Sequence, residues 1–299
     1  MTLLRLGILG MSEGNGHPYS WSAIFNGYDR ATMADCPFPA IPTYLAKQRF
    51  PDDAIPDARV THIWTQDRAV SERIARATRI ESIVNRSADM IGHVDAVLLA
   101  RDDAEHHFEM AEPFLRAGLP VYIDKPLAIT VAEAQRIYGL ERYPGQIYSC
   151  SALRFSRDLA LDAETRERIG KIVYVQAQVM KSWERYGVHV IEQVLQLLGD
   201  TGDIRDTQVS ASGDRRIVTL RWGSGVQTSF AALGAIECPI AVRVFGTRGM
   251  EERIFGDTFH AFREALLTFV ASVRQRTTPI PREQVLKVVD VIERGLHAG

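Results

Sequence analysis

The apolar and polar positions in the first third of the chain follow two alternating patterns. Four apolar runs have the length of buried strands; they span residues 3–9, 59–64, 94–100 and 120–124. The stretches between them carry apolar residues at helical spacing and span residues 19–26, 67–80 and 102–118. Strands that alternate with helices in this way predict a parallel sheet with crossover helices.

The segment at residues 28–59 interrupts this alternation. It carries five prolines, which fix φ and remove backbone donors. We therefore predict an insertion that is mostly loop, with one short helix. The sequence leaves open whether this insertion is a lid, an interface or a brace.

After Pro126 the pattern changes. A helix is predicted over residues 129–141, where Thr130 and Glu133 form a capping-box pattern. Residues 171–180 then alternate strictly, and the positions on one side are Val173, Val175, Ala177 and Val179. Strict alternation is typical of a half-buried strand in an antiparallel sheet.

Short strands and long helices make up the rest of the second half. The strands are predicted at residues 207–212, 216–222, 225–232 and 240–247, and the helices at residues 188–200, 259–273 and 282–296. The predicted fold class is therefore α/β. A doubly wound parallel sheet at residues 1–126 precedes, at 127–299, an α+β domain with a large, mostly antiparallel open sheet.

Composition limits the kinds of partner and compartment. The net charge is −2 and the 35 lysines and arginines are scattered along the chain, so we expect neither a nucleic-acid partner nor a membrane partner. Three widely spaced cysteines without a CxxC pair indicate a reducing compartment, with no disulfide framework and no metal site. No apolar run approaches the roughly 20 residues that cross a bilayer, so a cytoplasmic location is expected.

A glycine-rich turn follows the first strand. In a Rossmann domain, a strand, such a turn and a helix present backbone N–H groups to a pyrophosphate. The turn here contains Gly10, Gly14 and Gly16, but Ser12 and Asn15 replace the second and third glycines of the GxGxxG pattern. The alternatives are a dinucleotide site at these five residues and a strand–helix turn without a ligand.

The end of the second strand normally offers a carboxylate to the adenosine ribose. The aligned position here is Thr65, with Asp67 and Arg68 just beyond it. A missing carboxylate near an arginine favours the 2′-phosphate of NADP, whereas Asp67 is able to reach a 2′-hydroxyl of NAD. NAD and NADP therefore both stay open as the cofactor.

The strand at residues 120–124 ends in the sequence Asp124-Lys125-Pro126. Ligands of doubly wound sheets bind beyond the carboxyl ends of the strands, and the proline holds Lys125 out of the α region. A lysine at this place is able to hydrogen-bond a substrate hydroxyl and to favour its alkoxide while hydride leaves carbon. The alternative is a loop lysine in solvent.

One long stretch carries a family resemblance. The segment "DAVLLARDDAEHHFEMAEPFLRAGLPVYIDKPLAIT" resembles the Gfo/Idh/MocA family of NAD(P)-dependent sugar oxidoreductases, with Asp124 in place of the Glu of the family's Glu-Lys-Pro motif. The resemblance continues through "SALRFSRD", "RIGKIVYVQAQV", "YGVHVIEQV" and "IAVRVFGTRG". It implies a Rossmann domain followed by an α/β domain with an open sheet, a Lys-Pro bond that is often cis, and a homodimer or homotetramer.

The resemblance also implies roles for individual residues. Lys125 is expected beside the nicotinamide, and His106 falls where the family keeps a histidine at a helix start, so we assign it with Asp124 and Pro126 to the cofactor site. His189 takes the position of the acid/base that exchanges a proton with the reacting hydroxyl, which suits an imidazole with an ordinary pKa of about 6.5. Residue 192, a glutamate on the same helical face, is able to orient the ring.

One family residue is missing. Four residues before His189, the family usually has an Asp that joins the Lys and the His in catalysis; this chain has Arg185, with Glu184 beside it. Either Glu184 substitutes, or Lys125 and His189 suffice, or ordinary alcohol oxidation has been lost. Arg185 is able instead to bind an anionic substrate group, which suits a sugar acid or a nucleotide sugar.

Several further side chains near these motifs allow two interpretations each. Arg101 contacts cofactor phosphates or pairs with Asp102 or Asp103. Arg154 lies near the substrate pocket, together with Glu192, or forms a salt bridge between domains. His17 directly follows the glycine turn, and we predict that it lies near the cofactor phosphates.

Two aromatic residues flank the segment around His189. Trp183 and Tyr186 stack on a sugar ring or pack in the core. In the first half, His107 and Asp103 are predicted to lie on a solvated helix start.

Two functions are compatible with these features. The first is an oxidoreductase that moves hydride between NAD(P) and a hydroxyl or keto carbon of a small carbohydrate substrate: a sugar, sugar acid, nucleotide sugar or cyclitol. The alternative is a non-catalytic dinucleotide- or sugar-binding regulatory member of the same fold. Lys125 and His189 together favour the enzyme, whereas the broken glycine pattern, Thr65 and Arg185 favour the alternative.

Overall fold

The described residues contain twelve strands in two sheets. The computed structural model of the protein describes residues 2–297. The strands of the first sheet are β1 (Leu4–Leu9), β2 (Ala58–Trp64), β3 (Ser82–Ile83), β4 (Ala96–Leu99), β5 (Val121–Ile123) and β6 (Ile147–Tyr148). Those of the second sheet are β7 (Ile172–Val179), β8 (Ile204–Ser212), β9 (Arg215–Trp222), β10 (Gln227–Ala232), β11 (Ala241–Gly246) and β12 (Met250–Ile254).

The helices connect and cover these sheets. They are α1 (His17–Asn26), α2 (Arg30–Ala34), α3 (Ala40–Leu45), α4 (Arg68–Thr78), α5 (His107–Arg116), α6 (Val131–Tyr138), α7 (Ala163–Ile169), α8 (Trp183–Leu198), α9 (Thr258–Gln275) and α10 (Arg282–Leu296). Short 3-10 helices lie at Ser87–Met90, Ala104–His106 and Ala152–Phe155. No helix in the described part of the chain is both long enough and apolar enough to cross a membrane.

The first sheet is doubly wound. Its strand order is β3-β2-β1-β4-β5-β6 and every neighbouring pair is parallel, which is the Rossmann order. The register places Leu9 beside Leu99 and Leu99 beside Ile123, so β1, β4 and β5 end side by side. The order of the strands reverses between β1 and β4, and a ligand crevice is expected beyond their carboxyl ends.

The second sheet is mixed but mostly antiparallel. Its order is β12-β11-β7-β10-β9-β8, and only β7 and β10 run parallel. Helix α8 packs on β7 and β10, with α10 beside it, so the helices lie against the sheet as predicted. The predicted fold class, a Rossmann sheet followed by an α+β part with a large open sheet, is confirmed.

Val173, the first of the alternating apolar positions of β7, departs from its prediction. Val175, Ala177 and Val179 are buried, but Val173 is 43% exposed. The register of β11 against β7 shifts between Phe245 and Gly246. The regular pairing, and with it the buried side of β7, therefore begins only after this irregularity.

The proline-rich insertion contains two short helices, α2 and α3, where one was predicted. It packs on the glycine turn and on α1: an added Cβ on Gly16 would lie 2.7 Å from the Phe38 ring and 2.5 Å from Ile41. The Tyr44 hydroxyl also donates a hydrogen bond to Ser20 Oγ in α1. Within its own unit the insertion therefore packs as a brace against the first strand–helix turn.

The chain forms two compact units. The first contains the described residues of Met1–Ala128, Glu133–Ser149 and Phe262–Pro281. The second contains Ile129–Ala132, Cys150–Ala261 and the described residues of Arg282–Gly299. The division into domains at 1–126 and 127–299 stays a prediction, and the first unit also takes in β6 and most of α9.

Candidate active site

Lys125 lies just beyond the carboxyl end of β5. Asp124 and Lys125 are 1% and 4% exposed, and the Lys125–Pro126 peptide bond is cis. The carboxylate of Asp124 accepts the backbone N–H of Lys125 at 2.8 Å. Lys125 is therefore a buried cation at the carboxyl edge of the parallel sheet, not a loop lysine in solvent.

The partner of this cation is Asp102, beyond the end of β4. The distance from Lys125 Nζ to Asp102 Oδ2 is 3.3 Å, and both side chains are no more than 5% exposed. The second carboxylate oxygen of Asp102 accepts the Ser12 hydroxyl at 2.6 Å, and Ser12 Oγ in turn accepts the backbone N–H of Asp102 at 3.2 Å. The turns after β1, β4 and β5 are thus joined by one buried network.

Asp102 stays ionised in this network. Its burial acts to raise the pKa of the carboxyl group, but the Lys125 ammonium and the Ser12 hydroxyl outweigh that effect and lower the pKa to about 2. A buried carboxylate that has a cation and a hydroxyl donor keeps its charge at any physiological pH. Sequence reasoning gave Asp102 no role of its own, although its place directly after an apolar strand was a usable signal.

Asp124 organises the glycine turn. Its Oδ2 accepts Asn15 Nδ2–H at 2.9 Å and lies 2.5 Å from His17 Nδ1. Asn15 Oδ1 accepts the backbone N–H of His17 at 2.8 Å. The His17 ring stacks on Trp21, with centroids 4.9 Å apart. The predicted cofactor residues Ser12, Asn15, His17 and Asp124 therefore lie in one cluster around Lys125.

The glycines of the turn have different reasons to be glycine. A Cβ on Gly10 would lie 2.4 Å from the ring of Pro18, so close packing excludes a side chain there. Gly14 has φ +76°, in the left-handed region, and no heavy atom lies within 4 Å of its Cβ position. Gly16 is covered by the insertion, which leaves Gly14 as the open position of the turn.

Gln66 holds the turn to the end of β2, a contact that sequence reasoning missed. Its Oε1 accepts the N–H of Met11 at 2.8 Å, and its Nε2–H donates to the C=O of Met11 at 2.9 Å. Two hydrogen bonds of this kind fix one side-chain amide against the backbone N–H and C=O of a single residue. No periodicity signals such a contact, because the two residues are brought together only by the pairing of β1 with β2.

The residues predicted to bind the adenosine ribose are engaged locally. The Thr65 hydroxyl donates to the Asp67 C=O at 2.6 Å, and Asp67 accepts the N–H of Ala69 as the N-cap of α4. Arg68 is exposed and donates to Glu72 and to Asn85. The structure thus assigns these three residues to the start of α4, and a role in ribose recognition stays a prediction.

The segment after β4 is buried rather than solvated. Arg101 donates to Asp103 through Nε, at 2.8 Å, and through Nη2, so it pairs with this aspartate, and a contact with cofactor phosphates stays a prediction. Asp103 is 6% exposed and His107 is fully buried, which corrects their predicted place on a solvated helix start. His106, assigned to the cofactor site, is the more exposed histidine and lies 2.9 Å from Asp103.

The buried ring of His107 lies between two backbone carbonyl groups. Nε2 lies 2.9 Å from the C=O of Arg101, and Nδ1 lies 3.0 Å from the C=O of Leu127. The ring therefore joins the loop after β4 to the loop after Pro126. This contact holds in place the two loops that carry Asp102 and Lys125.

In the second unit, His189 lies in the second turn of α8. It is 9% exposed, and its Nδ1 lies 2.7 Å from the Ser151 hydroxyl. The backbone N–H of Ser151 donates to Glu192 Oε2 at 2.6 Å. Ser151 therefore links Glu192 to His189, since its N–H bonds the first and its hydroxyl bonds the second. Sequence reasoning missed Ser151 because it lies 38 positions from His189.

Glu192 is a buried carboxyl group with one cationic partner. Arg154 donates to its Oε1 at 3.2 Å and to Gln284 at 2.6 Å, so the Arg154 salt bridge lies within the second unit. Burial raises the pKa of Glu192 to about 7, although Arg154 and the N–H of Ser151 both act to lower it. A cavity of about 460 Å³ between α8 and α10 borders Glu192 and Arg154.

The other predicted substrate residues have separate positions. Trp183 is 1% exposed and its Nε1–H donates to the C=O of Ile292 at 2.9 Å, so the core-packing alternative holds. Tyr186 is half-buried, accepts Lys181 Nζ–H at 2.6 Å and lies edge-on to the His189 ring. Arg185 is half-buried in the first turn of α8.

The raised pKa of Glu192 predicts a pH-dependent stability. The folded-state pKa is about 7, against 4.5 for an ordinary glutamate, so the folded chain holds the proton more tightly. The stability that this group contributes is complete below about pH 4.5 and is lost as the pH rises to about 7, by roughly 3 kcal/mol. Denaturant titrations across that range should show wild type losing this amount relative to Glu192→Gln.

The exposed Glu283 on the rim of the same cavity provides the control. Glu283→Gln should follow wild type at each pH. A stability difference between wild type and Glu192→Gln that does not change with pH would contradict the assignment.

A family model for an oxidoreductase family with an NAD-binding Rossmann fold (GFO_IDH_MocA) matches residues 43–151. Residues 43–151 are thus similar to the Gfo/Idh/MocA family. The resemblance predicted from the sequence is confirmed, and the model's description agrees with a nicotinamide dinucleotide as cofactor. The match contains the Lys125 motif but begins after the glycine turn, the part whose pattern is broken.

Solved structures of dehydrogenases share the fold over nearly the whole chain. Myo-inositol 2-dehydrogenase from Lactobacillus plantarum is 14% identical, with a TM-score of 0.72 over 98% of this chain and 96% of that chain. UDP-N-acetylglucosamine 3-dehydrogenase GnnA from Acidithiobacillus ferrooxidans is 14% identical, with a TM-score of 0.71 over 100% and 98%. GenD2 from gentamicin A biosynthesis, in complex with NAD, is 14% identical, with a TM-score of 0.74 over 99% and 94%. A comparison with curated protein sequences found no match.

Proposed function

We propose that this Gfo/Idh/MocA protein is an NAD(P)-dependent oxidoreductase that acts on a hydroxyl or keto carbon of a sugar, sugar acid, nucleotide sugar or cyclitol. The observation that carries the proposal is the buried Lys125–Asp102 pair at the carboxyl edge of a Rossmann sheet. A buried ion pair is costly to form and contributes little to stability. Its retention at the place where such sheets bind ligands supports a functional role.

The residues around this pair fit a dinucleotide. The open position over Gly14 leaves room for a diphosphate against the backbone of the turn, with Ser12 and Asn15 beside it. His17 lies on the inner side of the turn, with its Nδ1 on the carboxylate of Asp124. We propose that the turn and these side chains hold the cofactor, and that the first turn of α1 contributes less.

The nicotinamide, when bound, supplies the hydride acceptor or donor for the reaction. The Lys125 ammonium donates a hydrogen bond to the reacting oxygen and stabilises negative charge that develops on it. Asp102 fixes the position of the ammonium, and its carboxylate is already paired before substrate binds. His189 accepts or returns the hydroxyl proton, and Ser151 holds its Nδ1 so that Nε2 is the nitrogen that exchanges it.

Asp102 supports the alternative in which catalysis does not need an Asp at position 185. Where the family usually has an Asp before the histidine, this chain has an arginine that is unable to accept a proton. The structure contains a carboxylate on Lys125 that comes from the loop after β4 instead. Arg185 stays a candidate for binding an anionic group of the substrate, and such binding would favour a sugar acid or nucleotide sugar among the candidate classes.

The cofactor proposal predicts nicotinamide binding in the micromolar range. Purified protein mixed with NADH or NADPH should enhance the nicotinamide fluorescence or transfer energy to it from tryptophan. Gly14→Val, which places a branched side chain on a residue with φ +76°, should weaken binding at least tenfold. Gly213→Val, at a β-hairpin glycine with φ +62°, is the matched control. Absence of binding of both dinucleotides at tens of micromolar would refute the proposal.

One set of contacts favours the alternative, a regulatory member that binds a dinucleotide or a sugar without turnover. The first turn of α1 has few N–H groups to offer a phosphate: His17 N–H is bound to Asn15, Pro18 has none, and Tyr19 N–H is bound to Gly16 C=O. Helix N-termini normally supply these donors. Binding of NADH together with no turnover of any sugar, sugar acid or cyclitol would establish this alternative.

A further inference from the structure

A second cavity lies at the amino ends of the parallel strands, opposite the carboxyl ends where Lys125 lies. It has a volume of about 580 Å³ and borders the start of β2 and the residue before β1. Because the strands are parallel, their amino ends lie on the edge away from the candidate active site. The side chains that matter for its chemistry are Arg30, Arg59, Arg79, Phe25, Tyr28 and Phe50.

The charged side chains that line this cavity are all arginines. Three arginines line it, and no aspartate or glutamate is among the lining residues, although the chain as a whole has a net charge of −2. Arg59 has one ion pair, from Nη2 to Glu81 at 3.0 Å, and its buried Nε has no acceptor among the described residues. A guanidinium carries five N–H donors in a planar fork that matches carboxylate, sulfonate or phosphate oxygens.

Two helix ends reduce this positive charge only in part. Helices α1 and α4 end next to the cavity, at Gly27 and Arg79. A helix carboxyl end carries roughly half a negative charge, so the two ends together offset about one of the three guanidinium charges. Glu81 offsets a second, and Asp29 interacts electrostatically with Arg79. The preference for an anion therefore depends on the guanidinium N–H donors, Arg59 Nε among them, and not on a large net charge.

The walls of the cavity are preformed. Asn26 bonds three backbone groups: its Nδ2 donates to the C=O of Val60 at 2.9 Å and of Thr78 at 3.0 Å, and its Oδ1 accepts the N–H of Val60 at 3.0 Å. Tyr28 and Phe50 pack edge-to-face with centroids 5.3 Å apart. Aromatic rings beside guanidinium groups offer a flat ligand both an apolar surface and charged donors.

We infer that this cavity binds a small anion that carries a flat aromatic group, at a site separate from the candidate active site. The arginines take the charged end and the aromatic side chains take the ring. The proposed oxidoreductase activity is not needed for this binding, so the two proposals stand or fall independently. A ligand bound here braces α1 and the insertion against β2, and these are the elements that carry and cover the glycine turn.

The probe for this site is 8-anilinonaphthalene-1-sulfonate, a fluorescent aromatic anion, titrated into the full chain. Arg59→Gln and Arg79→Gln should each weaken its binding about tenfold, the effect of losing one charged hydrogen bond. Arg215→Gln, on the exposed hairpin between β8 and β9, should leave the affinity unchanged. Circular dichroism of each variant checks that the chain is folded.

Competition distinguishes this cavity from other binding places. Inorganic pyrophosphate should displace the probe from Gly14→Val as well as from wild type, and rising salt should weaken probe binding, because the contact is ionic. Equal affinities in wild type, Arg59→Gln and Arg79→Gln would overturn the inference, as would loss of probe binding in Gly14→Val. If one substitution unfolds the chain, Arg30→Gln tests the same cavity from a third side.

Discussion

Lys125→Met is expected to lower kcat about a thousandfold while the affinity for NADH or NADPH changes by less than about threefold. The ammonium stabilises charge that appears on the reacting oxygen only during hydride transfer, and groups of this kind contribute roughly 10²- to 10⁴-fold. Methionine keeps the length of the buried side chain and removes its charge. Initial rates with NAD⁺ and NADP⁺ over a panel of sugars, sugar acids and cyclitols measure the loss.

The exposed Lys47 of the insertion provides the control for this substitution. Lys47→Met should retain the rate of wild type. Among the described residues, no hydrogen bond or ion pair joins Lys47 to the glycine turn or to Asp102. Turnover of Lys125→Met at the wild-type rate would refute the role of Lys125. A loss of dinucleotide binding that parallels the loss of rate would instead make Lys125 a cofactor-binding residue only.

The second large effect concerns the ion pair itself. Lys125→Met leaves Asp102 as a buried carboxylate without its cation, and it is expected to lower the free energy of unfolding by about 3–5 kcal/mol. Asp102→Asn removes the carboxylate that faces the Lys125 ammonium and should cost a similar amount. The double variant Lys125→Met/Asp102→Asn removes both charges and should regain most of the stability, because a neutral buried pair has no ion to desolvate.

Denaturant unfolding of the four proteins at neutral pH gives the coupling energy of the pair. The expected coupling is large and favourable, and the double variant should be stable but inactive. This separates folding from catalysis at the same residue. Additive effects of the two substitutions would show that Lys125 and Asp102 do not interact in the folded chain, contrary to their separation of 3.3 Å.

The sequence predicted the elements whose signals are local. The apolar runs of β1, β2, β4 and β5 and the strict alternation of β7 report burial directly, and these strands were found within a few residues. Strands β3 and β6 have two residues each and give too little pattern to detect. Helix α8 begins five residues before its prediction because Gly187, an apparent helix breaker, is covered by the Trp183 ring.

The candidate site was predictable only where motif and strand end coincide. Lys125 follows an apolar strand and precedes a proline, so its place at the carboxyl edge could be inferred. The roles of Asp102, Ser151 and Gln66 could not, because each acts on a residue 23 or more positions away. The sequence analysis predicted a solvated His107, because two adjacent histidines at a helix start do not indicate that the ring of one of them lies between two carbonyl groups.

By itself, the sequence determined the order of strands and helices, the doubly wound class of the first sheet and the presence of a lysine at a strand end. These properties depend on periodicity and on neighbours within a few residues. Only the tertiary structure decided that Lys125 is paired with Asp102 and that three arginines share one cavity. It also decided that Ser151 links Glu192 to His189 by hydrogen bonds. The physical reason is that charge pairing and burial depend on distances between segments, and the fold fixes those distances while a single sequence does not display them.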